Sequence, residues 1–321
     1  MPVNANADST KQITTVGDVV SVIQDVKDLL IKQHWVADKS QADLVRFWFR
    51  GHARKDWYLH PKGLRKPKPP MRAMLHEFRA EATILHDSAP EHDDLRQWLF
   101  LMQHHGMPTL LLDWTRSALT ALAFALEFER DKSQLHQEDG ALWILRPGKW
   151  NMLSKATCRY AVIDAYAHDL NDLFAVHFDK NASNKLSCSK SRTITAVEPA
   201  FNSRRMIAQQ GVFTIHGPTS EPMEKIASSF PEQCVWKRII PSDRKAALCQ
   251  ELHDLGIYLS SLFPDLDHLS ACIKRRYNYT QVHSREQEGT GTEEPGGAFL
   301  QQKEHPDMGT GGATVSDVTC G

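Results

Sequence analysis

Most features that assign a protein to a class at first sight are missing from this sequence. Its 321 residues contain no apolar run near the roughly 18 residues that a membrane-spanning helix needs, and residues 1–12 lack the apolar core of a signal peptide. The six cysteines are scattered without a CxxC pair, which is typical of reduced structural thiols. We therefore expect a cytoplasmic protein with no membrane partner.

An excess of charge of one sign is also missing. Lysine and arginine number 38 against 39 aspartates and glutamates, so the whole-chain charge gives no strong sign of nucleic-acid binding. The motifs GxxxxGK[ST], GxSxG and HExxH do not occur, which removes the phosphate loop, the hydrolase nucleophile elbow and the zinc-protease helix from consideration. No protein partner can be named from these features.

Hydrophobic periodicity predicts both helices and strands. We predict helices over residues 16–33, 71–86, 94–105, 115–128, 160–178, 199–209 and 266–277, and another capped by Ser242 and running to about Leu255. We predict strands over residues 44–50, 141–145, 212–215 and 235–240. This mixture predicts an α+β fold, with a mixed sheet flanked by helices.

The composition divides the chain into three parts. Residues 1–40 form an N-terminal helical segment, residues 41–280 the single main domain, and residues 281–321 a Gly/Thr/Glu-rich tail that we expect to be disordered. Within the main domain, the Ser/Asn/Lys-rich residues 180–196 are typical of a mobile insertion. The proline-rich basic residues 64–70 predict an extended loop whose charges face solvent.

Polar residues at the ends of predicted elements are the candidates for chemistry. Arg50 ends an apolar strand before Gly51, which suits bidentate binding of phosphate or carboxylate. An arginine paired with a buried acid, holding the fold, is the alternative.

A second cluster runs from Gln103 to Thr115. Helical spacing places His105 on the buried side of its helix, and Asp113 and Thr115 begin the next predicted element. A packed histidine in the last helical turn and an N-cap at Asp113 or Thr115 are the structural alternatives. Adjacent histidines point in different directions, so we expect no metal centre here.

Two further clusters lie towards the C-terminus. Arg205 and Gln209 are one helical turn apart, directly before Gln210 and a glycine turn. Residues 261–267, SLFPDLD, enter the last helix, and their proline and acids favour a structural cap.

These clusters resemble the FRG domain family, named for its Phe-Arg-Gly strand. The resemblance spans roughly residues 45–277, and Leu110 replaces the basic residue of the family's usual PTRLLDWT, which implies one fewer contact to an anionic ligand. The matching motifs are FRGH at 49–52, QHHGMPTLLLDWT at 103–115, ALAFA at 121–125, RMIAQQGVF at 205–213 and SLFPDLD at 261–267.

A weaker resemblance is to ADP-ribosyltransferases of the Arg-Ser-Glu type. Their first strand also ends in an aromatic residue, arginine and glycine, and only Arg50 and Gly51 match well. The resemblance implies NAD as a substrate and an ADP-ribosyltransferase-like or NAD-processing enzyme. The paired glutamates at residues 127–129 lie at a predicted helix end, whereas such enzymes carry them at a late strand.

Our hypothesis is that the domain binds a small anionic, nucleotide-like ligand, with NAD as a candidate substrate and no certain cofactor. His105 or Asp113 would transfer protons if the protein is catalytic. The predicted ligand-binding residues are Arg50, Gly51, Gln103, Thr115, Arg205 and Gln210. A non-catalytic module that senses a ligand or partner, as in bacterial defence or regulation, is the alternative.

Overall fold

The computed structural model describes most of the chain from Lys11 to Tyr277. The described residues are 11–85, 89–126, 138–156, 161–165, 193–199, 203–218 and 220–277. The chain forms two units, residues 1–273 and residues 274–321, and the first contains the whole sheet. The predicted tail, residues 281–321, lies outside the described part.

A seven-stranded mixed sheet confirms the α+β class. Its order is β4-β5-β6-β2-β1-β3-β7, and every neighbouring pair is antiparallel except β4 and β5. The strands are β1 Trp48–His52, β2 Leu111–Thr115, β3 Gly140–Leu145, β4 Ile163–Asp164, β5 Ile194–Glu198, β6 Gly211–His216 and β7 Val235–Ile240.

Eleven α-helices occur in the described ranges. They are α1 Val16–Lys32, α2 Lys39–Leu44, α3 Met71–Leu85, α4 Leu95–His104, α5 Ala118–Ala125, α6 Pro147–Leu153, α7 Arg204–Ala208, α8 Met223–Ala227, α9 Lys245–Asp254, α10 Leu259–Leu262 and α11 Leu266–Arg276. Among the same residues, no helix has both the length and the apolar character needed to cross a membrane.

Helix α1 shows how the sequence sets an element. Thr15 accepts a hydrogen bond from the Asp18 backbone while the Asp18 carboxylate accepts from the Thr15 backbone, which forms a capping box. Its buried stripe, which includes Val19 and Val26, joins α5 and Phe49 in one core on one face of the sheet.

Four tryptophans lie in the core on the other face of the sheet. Trp48, Trp114, Trp143 and Trp150 are all buried there, together with Leu112. Because side chains alternate along a strand, β1 directs Phe49 and Gly51 to the first core and Trp48, Arg50 and His52 to the second face.

Strand β1 pairs unequally with its two neighbours. Against β3 it forms five consecutive pairs, from Trp48 with Leu145 to His52 with Ala141, and we name this the closed seam. Against β2 it forms one pair, Phe49 with Thr115, and we name this the open seam. Because the polar ends of β1 and β2 are not paired, a cleft can form there.

Several predicted elements differ from the structure. The helix predicted over 160–178 is wrong at Ile163–Asp164, which form β4, and the insertion predicted over 180–196 is wrong at its end, where β5 begins at Ile194. The remaining residues of both segments lie outside the described ranges, apart from 161, 162, 165 and 193. Short strands such as β4 depend on a distant partner, so local periodicity does not reveal them.

Element ends account for the other differences. Strand β1 runs to His52 instead of ending before Gly51. Ser242 begins a 3₁₀ turn without a side-chain cap, and α9 starts only at Lys245. Helix α5 begins at Ala118 because Ser117 accepts a hydrogen bond from Thr120, so the N-cap alternative for Asp113 and Thr115 is wrong. The described cysteines, Cys234, Cys249 and Cys272, are free.

Candidate functional site

A cleft of about 630 Å³ lies at the open seam. Strands β1, β2 and β6 supply its floor, and the end of α4, the start of α7 and a 3₁₀ turn at Lys62–Leu64 supply its walls. Seven of the eight predicted site residues line it: Arg50, Gly51, Gln103, His105, Asp113, Thr115 and Arg205. Their roles in ligand binding or proton transfer remain predictions.

Arg50 reaches across the open seam. Its Nη1 donates to the backbone carbonyl of Asp113 at 2.5 Å, and its Nε donates to Nε2 of His52 at 3.0 Å. The nearest carboxylate oxygen, Oδ2 of Asp113, is 3.9 Å from Nη1. The guanidinium therefore contacts a strand carbonyl where a regular ladder would provide a backbone N–H.

His52 supports Arg50 from the closed seam. Its buried ring also lies 3.2 Å from Nε1 of Trp143, and both neighbours are donors. A neutral imidazole accepts at one nitrogen only, so only one of the two contacts is a hydrogen bond. Burial lowers the pKa of His52 to about 2, with repulsion by Arg50 contributing. His52 is therefore neutral at physiological pH.

A chain of hydrogen bonds orients Asp113. Nε2 of Gln103 donates to Oδ2 of Asp113 at 2.7 Å, and Oε1 of Gln103 accepts from the hydroxyl of Thr109. That hydroxyl accepts from the backbone of Leu111 at 3.0 Å. Gln103 thus fixes a carboxylate whose side chain remains 56% exposed in the cleft.

Thr115 supports the fold beneath the cleft. Its hydroxyl donates to the carbonyl of Gln209 at 2.7 Å and accepts from the backbone of Ser117 at 2.9 Å. The residue is 3% exposed. The hydroxyl joins β2 to the end of α7 and to the start of α5, so its bonds are already used.

Arg205 lies against an aromatic column. Its guanidinium carbon is 4.3 Å from the centre of the Phe263 ring, and its Nη1 donates to the carbonyl of His104 at 3.4 Å. The other stacking partner of Phe263 is His268, with ring centres 4.6 Å apart. Residues 261–267 therefore hold Arg205 through Phe263, while Asp265 accepts a hydrogen bond from the His268 backbone as a cap.

His105 differs from the prediction. It is exposed at the end of α4, not on the buried side, because the helix ends at His104 and the chain turns at Gly106 with a φ of +76°. Its ring lies against Phe78 of α3 at 6.1 Å and against His104 at 5.0 Å. A proton-transfer role for His105 stays a prediction.

Gly51 packs against a helix as well as lining the cleft. A Cβ at this position would lie 1.9 Å from the carbonyl oxygen of Ala121 and 2.5 Å from the backbone nitrogen of Ala125. Glycine is therefore needed for α5 to lie directly on β1.

Gln210 is not among the residues that line the cleft, whereas its neighbour Gln209 is. Gln210 adopts a φ of +48° and its carbonyl accepts from the backbone of Arg116, so it forms the turn into β6. Gln209 donates through Nε2 to the carbonyl of Leu262 at 3.0 Å. The helix ends before both residues, and for this reason helical spacing did not separate them.

Two basic residues of the cleft were missed by sequence reasoning. Lys62 and Arg65 line it, and Arg65 belongs to residues 64–70, whose charges were predicted to face solvent. Leu110, the position where the family resemblance places a basic residue, is 1% exposed and packs against Leu64 and Met71. It does not line the cleft.

The cleft lining has an excess of positive charge. Among the described residues it contains four cationic side chains, Arg50, Lys62, Arg65 and Arg205, and one carboxylate, that of Asp113. Its apolar part includes leucines and methionines together with Phe49, Phe100, Trp114, Phe124 and Phe213. Within the described ranges, no three His, Cys, Asp or Glu side chains converge as metal ligands would.

Comparison with known proteins places part of the chain in a family. No curated protein and no solved structure matches it, so the resemblance to ADP-ribosyltransferases has no support there. The glutamates of residues 127–129 lie outside the described ranges. The family model of the FRG domain matches residues 45–134, which include β1, α4, β2 and α5 and hence Arg50, Gln103 and Asp113. The protein therefore contains an FRG domain.

Proposed function

We propose that the FRG domain of this chain binds a small anionic, nucleotide-like ligand in the cleft at the open seam, with Arg50 as the principal contact. The observation that carries the proposal is the position of the Arg50 guanidinium. Its side chain is 19% exposed and lines the cleft, and its nearest carboxylate oxygen is 3.9 Å away, beyond hydrogen-bond distance.

Arg50 keeps donors available for a ligand. A guanidinium has five N–H groups, and within the described residues two of them have partners, the ring of His52 and the carbonyl of Asp113. Both partners are neutral, so neither balances the charge. Arginine presents its donors in a planar fork that matches the oxygens of a carboxylate or phosphate.

Desolvation favours an anion at this position. Burial lowers the pKa of Arg50, the Asp113 carboxylate raises it, and Arg65 lowers it further. Arginine nevertheless remains protonated, so the protein holds a partly desolvated charge. Such charges are costly unless an opposite charge and hydrogen bonds compensate them. A bound anion would supply both.

The apolar part of the cleft favours a ligand that also carries a ring. Phe124 is the half-buried aromatic residue of the described lining, whereas Phe100 and Phe213 are almost fully buried behind it, with ring centres 5.1 Å apart. Aromatic faces stack on bases of every kind, and the volume is within the usual range for small-molecule sites. NAD, which combines rings with a charged diphosphate, is our first candidate.

Calorimetric titration of the whole chain with NAD and ADP-ribose tests the proposal. We expect binding by the parent and at least a 30-fold loss of affinity in Arg50→Ala, because a charge-assisted contact typically contributes about 2 kcal/mol. Arg54→Ala is the matched control, since Arg54 is exposed, lies four residues further and does not line the cleft. Equal affinity in Arg50→Ala and the parent would refute the proposal.

Turnover of NAD is a second candidate function. It is favoured by Asp113, an exposed carboxylate that Gln103 fixes beside the cleft, because a positioned carboxylate can act as a general base or stabilise a developing cation. Proton NMR of the parent with NAD overnight would detect released nicotinamide. Release that disappears in Asp113→Ala supports an NAD-processing enzyme, whereas binding without release supports a sensing module.

A further inference from the structure

The turn at Lys62–Leu64 packs closely against the segment that leads into β2, at the wall of the cleft. The backbone of Gly63 donates to the carbonyl of Thr109 at 2.9 Å. A Cβ on Gly63 would lie 2.6 Å from that carbonyl oxygen and 2.3 Å from Sδ of Met71. Leu64 packs on buried Leu110. The turn is therefore fixed against the strand that follows α4, which determines where its two basic neighbours lie.

Those neighbours, Lys62 and Arg65, direct positive charge to the cleft rim. Nζ of Lys62 donates weakly to the carbonyl of Gly106 at 3.4 Å, and Nε of Arg65 donates to the carbonyl of His60 at 3.1 Å. Within the described residues neither side chain has a carboxylate partner. Both partners are neutral carbonyls, so both charges remain uncompensated.

Arg65 acts on the same region as Arg50. Its charge lowers the pKa of Arg50 and that of His52, which places it within electrostatic range of both. Partial desolvation also lowers the pKa of Arg65 itself, although the residue is exposed at the rim. The two like charges repel each other, and the Asp113 carboxylate, 3.9 Å from Arg50, is the one negative charge near them in the described part of the cleft. An anion bound between the two arginines would attract both of them.

From this arrangement we infer that Arg65 and Lys62 bind a second anionic group, next to the one that Arg50 binds, so that the ligand carries a diphosphate and not a single phosphate. The inference rests on the proposed function. Three cations on this side of the cleft face one carboxylate, Asp113, which already accepts from Gln103. A phosphate linked at both ends carries one negative charge and leaves positive charge unbalanced, whereas a diphosphate linked at both ends carries two and approaches neutrality.

The experiment measures the affinity of the whole chain for inorganic phosphate and for pyrophosphate by calorimetry at pH 7.5 and constant ionic strength. We expect the parent to bind pyrophosphate about tenfold more tightly than phosphate, because the second group adds charge-assisted contacts. In Arg65→Ala we expect this ratio to fall to about two, with phosphate affinity little changed.

Lys68→Ala is the matched control. Lys68 lies on the same basic loop, is exposed and does not line the cleft, so its loss changes the net charge equally and should preserve the ratio. Lys62→Ala tests the same inference without removing the bond between Arg65 and His60 that helps to order the loop. It should lower the ratio by a smaller factor.

The outcomes separate the two proposals. If Arg50→Ala abolishes binding of both anions while Arg65→Ala and Lys62→Ala leave the ratio unchanged, the second anionic group is refuted and the proposed function stands. Equal loss of both affinities in Arg65→Ala would place Arg65 on the same phosphate as Arg50 and would also refute it. If the parent binds neither anion, both proposals fail.

Discussion

The closed seam and the open seam are the two edges of one five-residue strand, and they differ in role: the first holds the sheet together, and the second borders the cleft. Along the closed seam, β1 and β3 form five consecutive pairs, and the backbone groups satisfy one another. Along the open seam, one pair forms, and Arg50 contacts the carbonyl of Asp113 in place of a strand partner. A ladder that stops early leaves polar backbone and side chains available to a ligand.

The two regions also differ in whether a positive side chain has a negatively charged partner within the protein. Lys149, in α6 after β3, forms an ion pair at 2.5 Å with Glu232. In the described part of the chain, Arg50 and Arg65 instead have neutral partners at hydrogen-bond distance, and the Asp113 carboxylate is 3.9 Å from Arg50. A charge that stabilises the fold is balanced within the protein, whereas a charge that binds a ligand is left to be balanced by it.

The largest effect is expected from filling the face of β1 on which α5 packs. Gly51→Ala should lower the free energy of unfolding by about 3 kcal/mol, because the new Cβ meets backbone atoms of α5 that cannot rotate away. Urea unfolding followed by circular dichroism measures this. Gly211→Ala is the matched control in the same cleft, since its Cβ would meet nothing nearer than 3.7 Å. Equal stabilities of the two variants would contradict the close packing of α5 on β1.

Acid should weaken the closed seam next. The folded pKa of His52 is about 2 and the unfolded value is about 6.5, so below pH 6.5 the unfolded state takes up a proton that the folded state does not. Stability therefore falls with decreasing pH, by about 2 kcal/mol between pH 7 and pH 5 from this residue. Burial also lowers the pKa of His216, which adds a loss of the same sign.

His52→Gln isolates the contribution of the first histidine. Glutamine can still accept from Nε of Arg50 but does not titrate. The slope of the unfolding free energy against pH between pH 5 and pH 6 should therefore correspond to the uptake of one proton fewer on unfolding. Proton NMR of the parent gives a second measurement, because the ring signals of His52 should not shift between pH 7 and pH 5. A ring that titrates near pH 6.5 would show that His52 is not held neutral.

The smallest effect is expected at the open seam. Asp113→Asn should raise the affinity for pyrophosphate about threefold, because it removes the one carboxylate among the described lining residues while keeping an acceptor for Gln103. Asp28→Asn, at an exposed position of α1, controls for the change in net charge. A fall in affinity would mean that Asp113 contacts the ligand through its charge, and loss of NAD turnover would assign it to chemistry.

Local patterns predicted the long elements and most of the candidate residues. Helices α1, α3 and α4 have long apolar stripes, and Gly106 ends α4 in the left-handed conformation that its position indicates. Arg50, Gln103 and Asp113 were found because they interrupt apolar sequence at element ends. Gln210 was taken for a cleft residue in place of Gln209 because a helix end is hard to locate from spacing alone.

The sequence by itself determined the α+β class, the polar motifs and the FRG domain, since these depend on periodicity and on residues close together in the chain. Only the tertiary structure decided that β1 would pair fully with β3 and separate from β2, and that Arg65 would lie at the cleft. Both depend on contacts between segments far apart in sequence, such as Gly63 with Thr109. The energy of such contacts depends on packing geometry that local propensity does not contain.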